Sequence, residues 1–315
     1  MKELYQQAQE VIKEVQKAIV GKDDVIENIM MAIVAKGHVL IEDMPGVGKT
    51  TMALAFSKAM GLKEKRVQFT PDVMPADLTG FSLYRKDIGK FVYQPGAVVC
   101  NLFLADELNR TSPKTQSALL EVMEECQVTV DGMTRKLEEP FIVLATENPE
   151  GSAGTQLLPE SQLDRFMICV RMGYPSVEEE VEILKRRHAG NPVEKVQNII
   201  SAREIIEMQK QVSEIFMHDV IYDYLAKLAK ATREHEMLAM GISPRGTVSL
   251  AAMSRAAAWL KGRSYVVPKD VKDVFVQVVS HRIRLNTKAK VGHVQASDVL
   301  KQILASVEEP GMRKR

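Results

Sequence analysis

Cysteine is scarce. Of 315 residues only Cys100, Cys126 and Cys169 are cysteine, odd in number and without a CxxC pair. This argues against a disulfide framework or a thiolate zinc site and implies a reducing, cytoplasmic setting. Aromatics make up 5%, too few for a β-sandwich core, while 17 methionines suit helix packing. Neither sign of charge prevails. Lys and Arg number 42 against 41 Asp and Glu, leaving +1, so bulk charge draws the chain neither to nucleic acid nor to an anionic membrane. Long apolar runs are also missing. The longest uncharged stretch, 91–105, contains Gln94, Pro95 and Asn101 and falls short of the ~18 apolar residues of a membrane span. The opening MKELYQQAQE carries both charges and no apolar centre, unlike a secretory signal.

What remains is an ordinary folded composition, 45% apolar and 26% charged, long enough for two domains at ~150 residues each. Residues 3–19 place Leu4, Ala8, Val11, Ile12, Val15 and Ile19 at helical spacing, and Val25, Ile29, Ile33 and Val34 resume it after Gly21. Apolar runs at 38–43, 66–70, 98–107, 140–149 and 167–172 read as strands, with helical spacing at 52–60 and 112–125 between them. Strands alternating with helices predict an α/β fold, a parallel sheet sandwiched by helices. Two segments, 81–94 and 128–137, read as β-hairpin insertions, the second through the turn pair Asp131-Gly132. Beyond Tyr174-Pro175 helical spacing runs through 177–188, 201–214, 218–236, 244–261 and 268–281. The expected division is an α/β domain over 1–174 and a smaller all-helical domain over 175–315.

Between the first strand and its helix stands PGVGKTT, Pro45, Gly46, Val47, Gly48, Lys49, Thr50 and Thr51. Small residues there let successive backbone N–H groups turn onto phosphates at the positive end of a helix. Lys49 would reach the β- and γ-phosphates and Thr50 would ligate Mg²⁺. The strict pattern places glycine where this chain has Asp43. The third strand ends in Asp106-Glu107, where the first carboxylate suits a Mg²⁺ shell and the second a base for attacking water. An acidic pair can also be mere strand termination. The two motifs together point to ATP and Mg²⁺. His235-Glu236 opens like HExxH, but Ala239 stands where the second histidine would, so no zinc protease motif is present.

PGVGKT, RVQFTPDVMPADLTG, NLFLADELNR, PFIVLATENP, LLPESQLDRF and GISPRG resemble, in order and spacing, the MoxR-type AAA+ ATPases. RavA-like proteins and magnesium-chelatase ATPase subunits are more distant. The resemblance runs from Ile19-Val20-Gly21 to about residue 310, and in this family the first loop position is often not glycine. It implies an AAA+ domain followed by a helical lid. It also implies that Val20 and Gly21 border the adenine, that Asn148 is sensor 1, that Arg165 is an arginine finger reaching a neighbour's nucleotide, and that Arg245 is sensor 2, touching the γ-phosphate from the lid. Taken alone, Asn148 is equally a turn after a strand, Arg165 half of a surface pair with Asp164, and Arg245 a first-turn arginine. Glu147 stands where relatives commonly carry glutamine.

The function this implies is an ATP hydrolase working as a ring, most simply a hexamer. Such a machine remodels or matures client complexes, with a partner bearing a von Willebrand factor A domain and metal or cofactor insertion as the usual theme. Two other classes stay open from the residues: a DNA-acting motor, disfavoured by the near-zero charge, and a nucleotide-gated scaffold with slow turnover.

Overall fold

In a computed structural model of the chain, the structure describes residues 3–44, 46–148 and 158–311. Two amphipathic helices, α1 (Leu4–Ala18) and α2 (Asp23–Val34), precede the sheet. The sheet-bearing part then runs β1 (Val39–Glu42), α3 (Lys49–Ala59), β2 (Glu64–Gln68), α4 (Pro75–Thr79), β3 (Gly80–Arg85), β4 (Lys90–Pro95), β5 (Leu102–Asp106) and α5 (Pro113–Glu125). It continues through β6 (Gln127–Val130), β7 (Met133–Lys136), β8 (Ile142–Glu147), α6 (Glu160–Leu163) and β9 (Ile168–Val170).

Five of these strands form one parallel sheet in the order β2-β5-β8-β1-β9. Their sequences are apolar on both sides, as burial on both faces demands. Ile41, Leu104, Leu144 and Val170 pack with α1, α2 and α3. Leu40, Phe103, Ala145 and Cys169 pack on Leu119, Leu120 and Met123 of α5. Strand order places the carboxyl ends of β1, β5 and β8 side by side, the edge of an open α/β sheet where ligands bind. β3–β4 and β6–β7 are the two antiparallel hairpins. Their outward side chains Phe81, Leu83, Phe91 and Met133 are exposed, and the Arg135 guanidinium lies 4.1 Å over the Tyr93 ring.

From α7 (Val177–His188) onward helices dominate: α8 (Ala202–Glu214), α9 (Asp219–Glu234), and, after β10 (Leu238–Met240), α10 (Pro244–Leu260) and α11 (Pro268–Val279). β11 (Arg284–Leu285), α12 (Thr287–Val291) and α13 (Ala296–Ser306) close the chain. Caps explain the starts. Ser176 and Glu179 form a reciprocal capping box on α7, and Ser112-Pro113 and Ser243-Pro244 set a hydroxyl cap before an N1 proline. The antiparallel β10–β11 pair is an addition to the helices the sequence predicts.

Apolar packing does not part at residue 175. One cluster continues from Val11 and Ile29 through Val39 to Met208, Leu250 and Phe275. A polar bolt joins the two halves on the other side. Arg282, 4% exposed, donates from Nε to Asp164 Oδ1 at 2.8 Å and from Nη1 to the Met167 carbonyl at 3.0 Å. Ser243 donates to Asp164 Oδ2 at 2.8 Å. Among the described residues no helix is long and apolar enough to cross a membrane.

Candidate active site

The loop between β1 and α3 adopts the backbone that its glycines permit. Gly46 and Gly48 have φ of 88° and 98°, values that side-chain-bearing residues resist. Pro45 lies outside the described residues. Gly48 is the N-cap of α3, no side chain caps that end, and its first turn, with Thr50 and Thr51, holds no acid. The N–H groups and dipole of α3 therefore remain available to an anion.

Lys49 curls back so that Nζ donates to the Asp43 carbonyl at 2.8 Å. Burial holds its ammonium below the usual lysine range, against the opposing pull of Asp106, Asp43, Glu107 and Glu147. Carboxylates from three strand ends thus act electrostatically on one amine.

Asp43, the departure from the strict loop pattern, has a defined job. Its Oδ2 accepts from Met172 N and Gly173 N, both at 2.7 Å, and Oδ1 from Met44 N at 2.9 Å. Its φ is not left-handed, so glycine is not needed there. The carboxylate staples the loop to the segment after β9, which forms the far wall of a 220 Å³ cavity. Val20, Gly46, Val47, Gly48 and Thr51 line it, together with Met172, Gly173, Pro175, Ile183 and Pro192. Gly21 lies instead in the adjoining larger cleft. The sequence shows the strand end and the helix of this wall, but not that Met172, Gly173, Ile183 and Pro192 face the phosphate loop, because that contact joins segments far apart in the chain.

At the end of β5, Asp106 Oδ1 accepts the Thr146 hydroxyl at 2.7 Å, and Oδ2 accepts Arg66 Nη2 at 2.7 Å and Nε at 3.2 Å. Glu107 follows in a left-handed turn, φ 56° and ψ 49°, an uncommon conformation for a residue with a side chain. Its carboxylate meets Arg110 Nη1 at 2.6 Å. Asn148 directly follows β8, and its carbonyl accepts Asn109 Nδ2 at 3.0 Å. Since Glu42 pairs with Glu147 in register and Asp43 N donates to the Glu147 carbonyl at 3.0 Å, Asn148 continues the strand flanked by the loop strand and the Asp106 strand.

Residues 38–168 match the model of the ATPase family associated with various cellular activities (AAA), and 230–303 match the AAA lid domain. The chain is 43% identical over 302 residues to the uncharacterized protein YeaC of Bacillus subtilis (strain 168), covering 96% of this chain and 94% of that one. It is 39% identical over 308 residues to Chaperone MoxR1 of Mycobacterium tuberculosis, covering 95% and 81%. A crystal structure from Cytophaga hutchinsonii superposes with a TM-score of 0.91 at 36% identity, over 98% and 96% of the two chains. The chain belongs to the MoxR family of AAA ATPases.

In this MoxR ATPase one pairing joins two of the residues singled out in the sequence. Arg165 and Arg245 come together, not on the phosphate loop but on Glu124 of α5. Arg165 Nε lies 3.2 Å from Glu124 Oε2 and Arg245 Nη2 2.5 Å from Oε1. The bolt at Asp164, Arg282 and Ser243 holds the start of α10 beside Arg165. Lys49, Asp106, Glu107 and Asn148 gather at the sheet edge. The two arginines form a separate cationic pair.

Proposed function

We propose that this ATPase binds the adenine of ATP in the cavity beside Val20, Val47 and Thr51, with the phosphates on the N–H groups of Gly46, Gly48 and α3. Lys49 neutralises the β- and γ-phosphates. Thr50 and Asp106 fit Mg²⁺, a hydroxyl and a carboxylate being the hard oxygen donors that ion takes. Bound there, Mg²⁺ supplies charge neutralisation on the phosphate oxygens. Glu107 takes the proton of the attacking water and Asn148 orients that water. The observation that carries this reading is the convergence of an uncapped, glycine-opened helix end, a buried lysine and the Asp106–Glu107 turn at one sheet edge.

Arg165 acts on the nucleotide of a neighbouring subunit, and Arg245, which shares Glu124 with it, acts as sensor 2, touching the γ-phosphate from the lid. A planar guanidinium suits charge spreading over the transferring phosphoryl oxygens. Turnover then requires a ring, which we take as a hexamer, of subunits divided into an α/β domain over 1–174 and a lid over 175–315. The ring works on client proteins in the cytoplasm, a setting that three free cysteines suit. It acts with a partner bearing a von Willebrand factor A domain in maturing a metal- or cofactor-dependent complex. The exposed hairpin apolars and the printed name of the relative MoxR1, a chaperone, support the client reading.

Glu107→Gln tests the chemistry. The variant should bind ATP with Mg²⁺ as the wild type does, remain assembled in sizing chromatography with ATP, and lose turnover by about 10²-fold or more. Undiminished turnover refutes the base assignment.

A further inference from the structure

Thr146 lies within the PFIVLATENP segment, and its hydroxyl touches both residues of the β5 terminus. It is fully buried on β8, two positions before Asn148. Its Oγ1 accepts the Glu107 N–H at 2.8 Å and donates to Asp106 Oδ1 at 2.7 Å. A hydroxyl has one proton. With the Glu107 N–H as its donor, that proton is committed to Asp106, which fixes the rotation of the Asp106 carboxylate. The Glu107 bond secures the peptide at the point where the chain enters its left-handed turn. Residues conformed in this way persist only where neighbours hold them.

We propose that Thr146 is a positioning residue for ATP hydrolysis: its hydroxyl couples the Asn148 strand to Asp106 and Glu107 and keeps the Glu107 carboxylate aimed at the attacking water. A buried threonine with no such role would affect folding alone. Asn148 follows Thr146 by two residues at the end of β8, so a shift of Asn148 along the strand direction also moves the hydroxyl that holds the Glu107 N–H. Thr146 thereby relays the state of Asn148 to the base. The inference rests on Glu107 being that base.

Thr146→Val keeps the shape and suits a strand while removing both hydrogen bonds. We expect kcat for ATP to fall about 10- to 100-fold, the usual cost of losing a group that orients a reacting or metal-binding side chain. With Mg²⁺ in excess, KM for ATP should stay within about twofold, because the phosphate loop and the adenine cavity are untouched. Thr146→Ser keeps the hydroxyl and should retain kcat within about threefold. In the Glu107→Gln background, single-turnover hydrolysis should drop by a smaller factor on adding Thr146→Val than it does in the wild type, the remaining loss being the share carried by Asp106. Unchanged kcat in Thr146→Val overturns the proposal. So does an equal loss in Thr146→Ser, or a full additional loss in the Glu107→Gln background. If Thr146→Val does not fold, Thr146→Ala is read by the same three criteria. Failure of the Glu107 reading is told apart by Glu107→Gln alone keeping its turnover.

Discussion

Replacing Glu147 by glutamine tests the electrostatics beneath the phosphate loop. Glu147 ends β8 directly beside Glu42, its register partner on β1. Arg171 donates from Nε and Nη2 to Glu42 Oε2 at 2.8 and 2.6 Å, so the guanidinium serves Glu42 first. Burial and then the Glu42 charge push the Glu147 carboxyl from an ordinary 4.5 up to about 7, with Arg171 and Lys49 opposing. At 8% exposure it has little water to relieve it. A carboxyl whose folded value exceeds its unfolded one binds more protons in the folded state. The stability it contributes therefore falls as pH rises from 4.5 towards 7 and is level above that window. The whole gap corresponds to about 3 kcal/mol as an upper bound, at 1.36 kcal/mol per pH unit. Glu147→Gln copies the protonated form at all pH values. Wild type and variant should match near pH 4.5, and the variant should gain up to about 3 kcal/mol by pH 8. At roughly 2–4 °C per kcal/mol for chains of 150–250 residues, the melting temperature should then rise by several degrees. Urea and thermal melts from pH 4.5 to 8, read as variant minus wild type, cancel other titrations. Those include His38, held neutral by burial with its value near 4, and the buried His281. A difference that stays constant across the window, or reverses sign, refutes the reasoning.

Two further outcomes concern binding and coupling. Asp43→Gly restores the strict loop pattern yet should raise KM for ATP about tenfold with kcat much less affected, because losing a carboxylate that holds three backbone N–H groups loosens the cavity wall at about the worth of one charge-assisted bond; unchanged KM contradicts the staple. Deleting 84–91, the hairpin tip that carries exposed Tyr84, Ile88 and Phe91, should spare basal hydrolysis and abolish stimulation by the client or partner, and unaltered stimulation excludes the hairpin as the contact.

The elements that could be read from sequence were those with their own periodicity. Spacing at 177–188 and 268–281 foretells α7 and α11 to within a residue or two: α7 opens on the Ser176 cap with acids in its first turn and bases in its last, and α11 opens on Pro268 and carries the stripe Val271, Val274, Phe275 and Val278. The apolar run at 98–107 is less faithful. Val98 and Cys100 are buried in a turn before β5 starts at Leu102, so burial there mimics a strand. The β10–β11 pair and α12–α13 passed unnoticed because two- and three-residue strands and a helix with three buried side chains carry little signal. In the site, the loop glycines, Lys49 and the Asp106–Glu107 pair are legible because their chemistry is local in sequence. Thr146 is not, since a β-branched residue in a strand looks like ordinary packing. The meeting of Glu124 with Arg165 and Arg245 depends on segments 121 positions apart being bolted together by Asp164 and Arg282, which no local pattern encodes.

Complementation between two inactive chains tests most directly whether hydrolysis draws on residues of two subunits. Lys49→Ala lacks the loop lysine and Arg165→Ala lacks the finger, so each alone should be inactive. Mixed subunits place an intact Lys49 loop beside an intact Arg165, and ATP turnover should return in proportion to such pairs. Arg165→Ala alone turning over like the wild type, or mixtures that co-assemble on a sizing column yet stay inactive, would contradict the account.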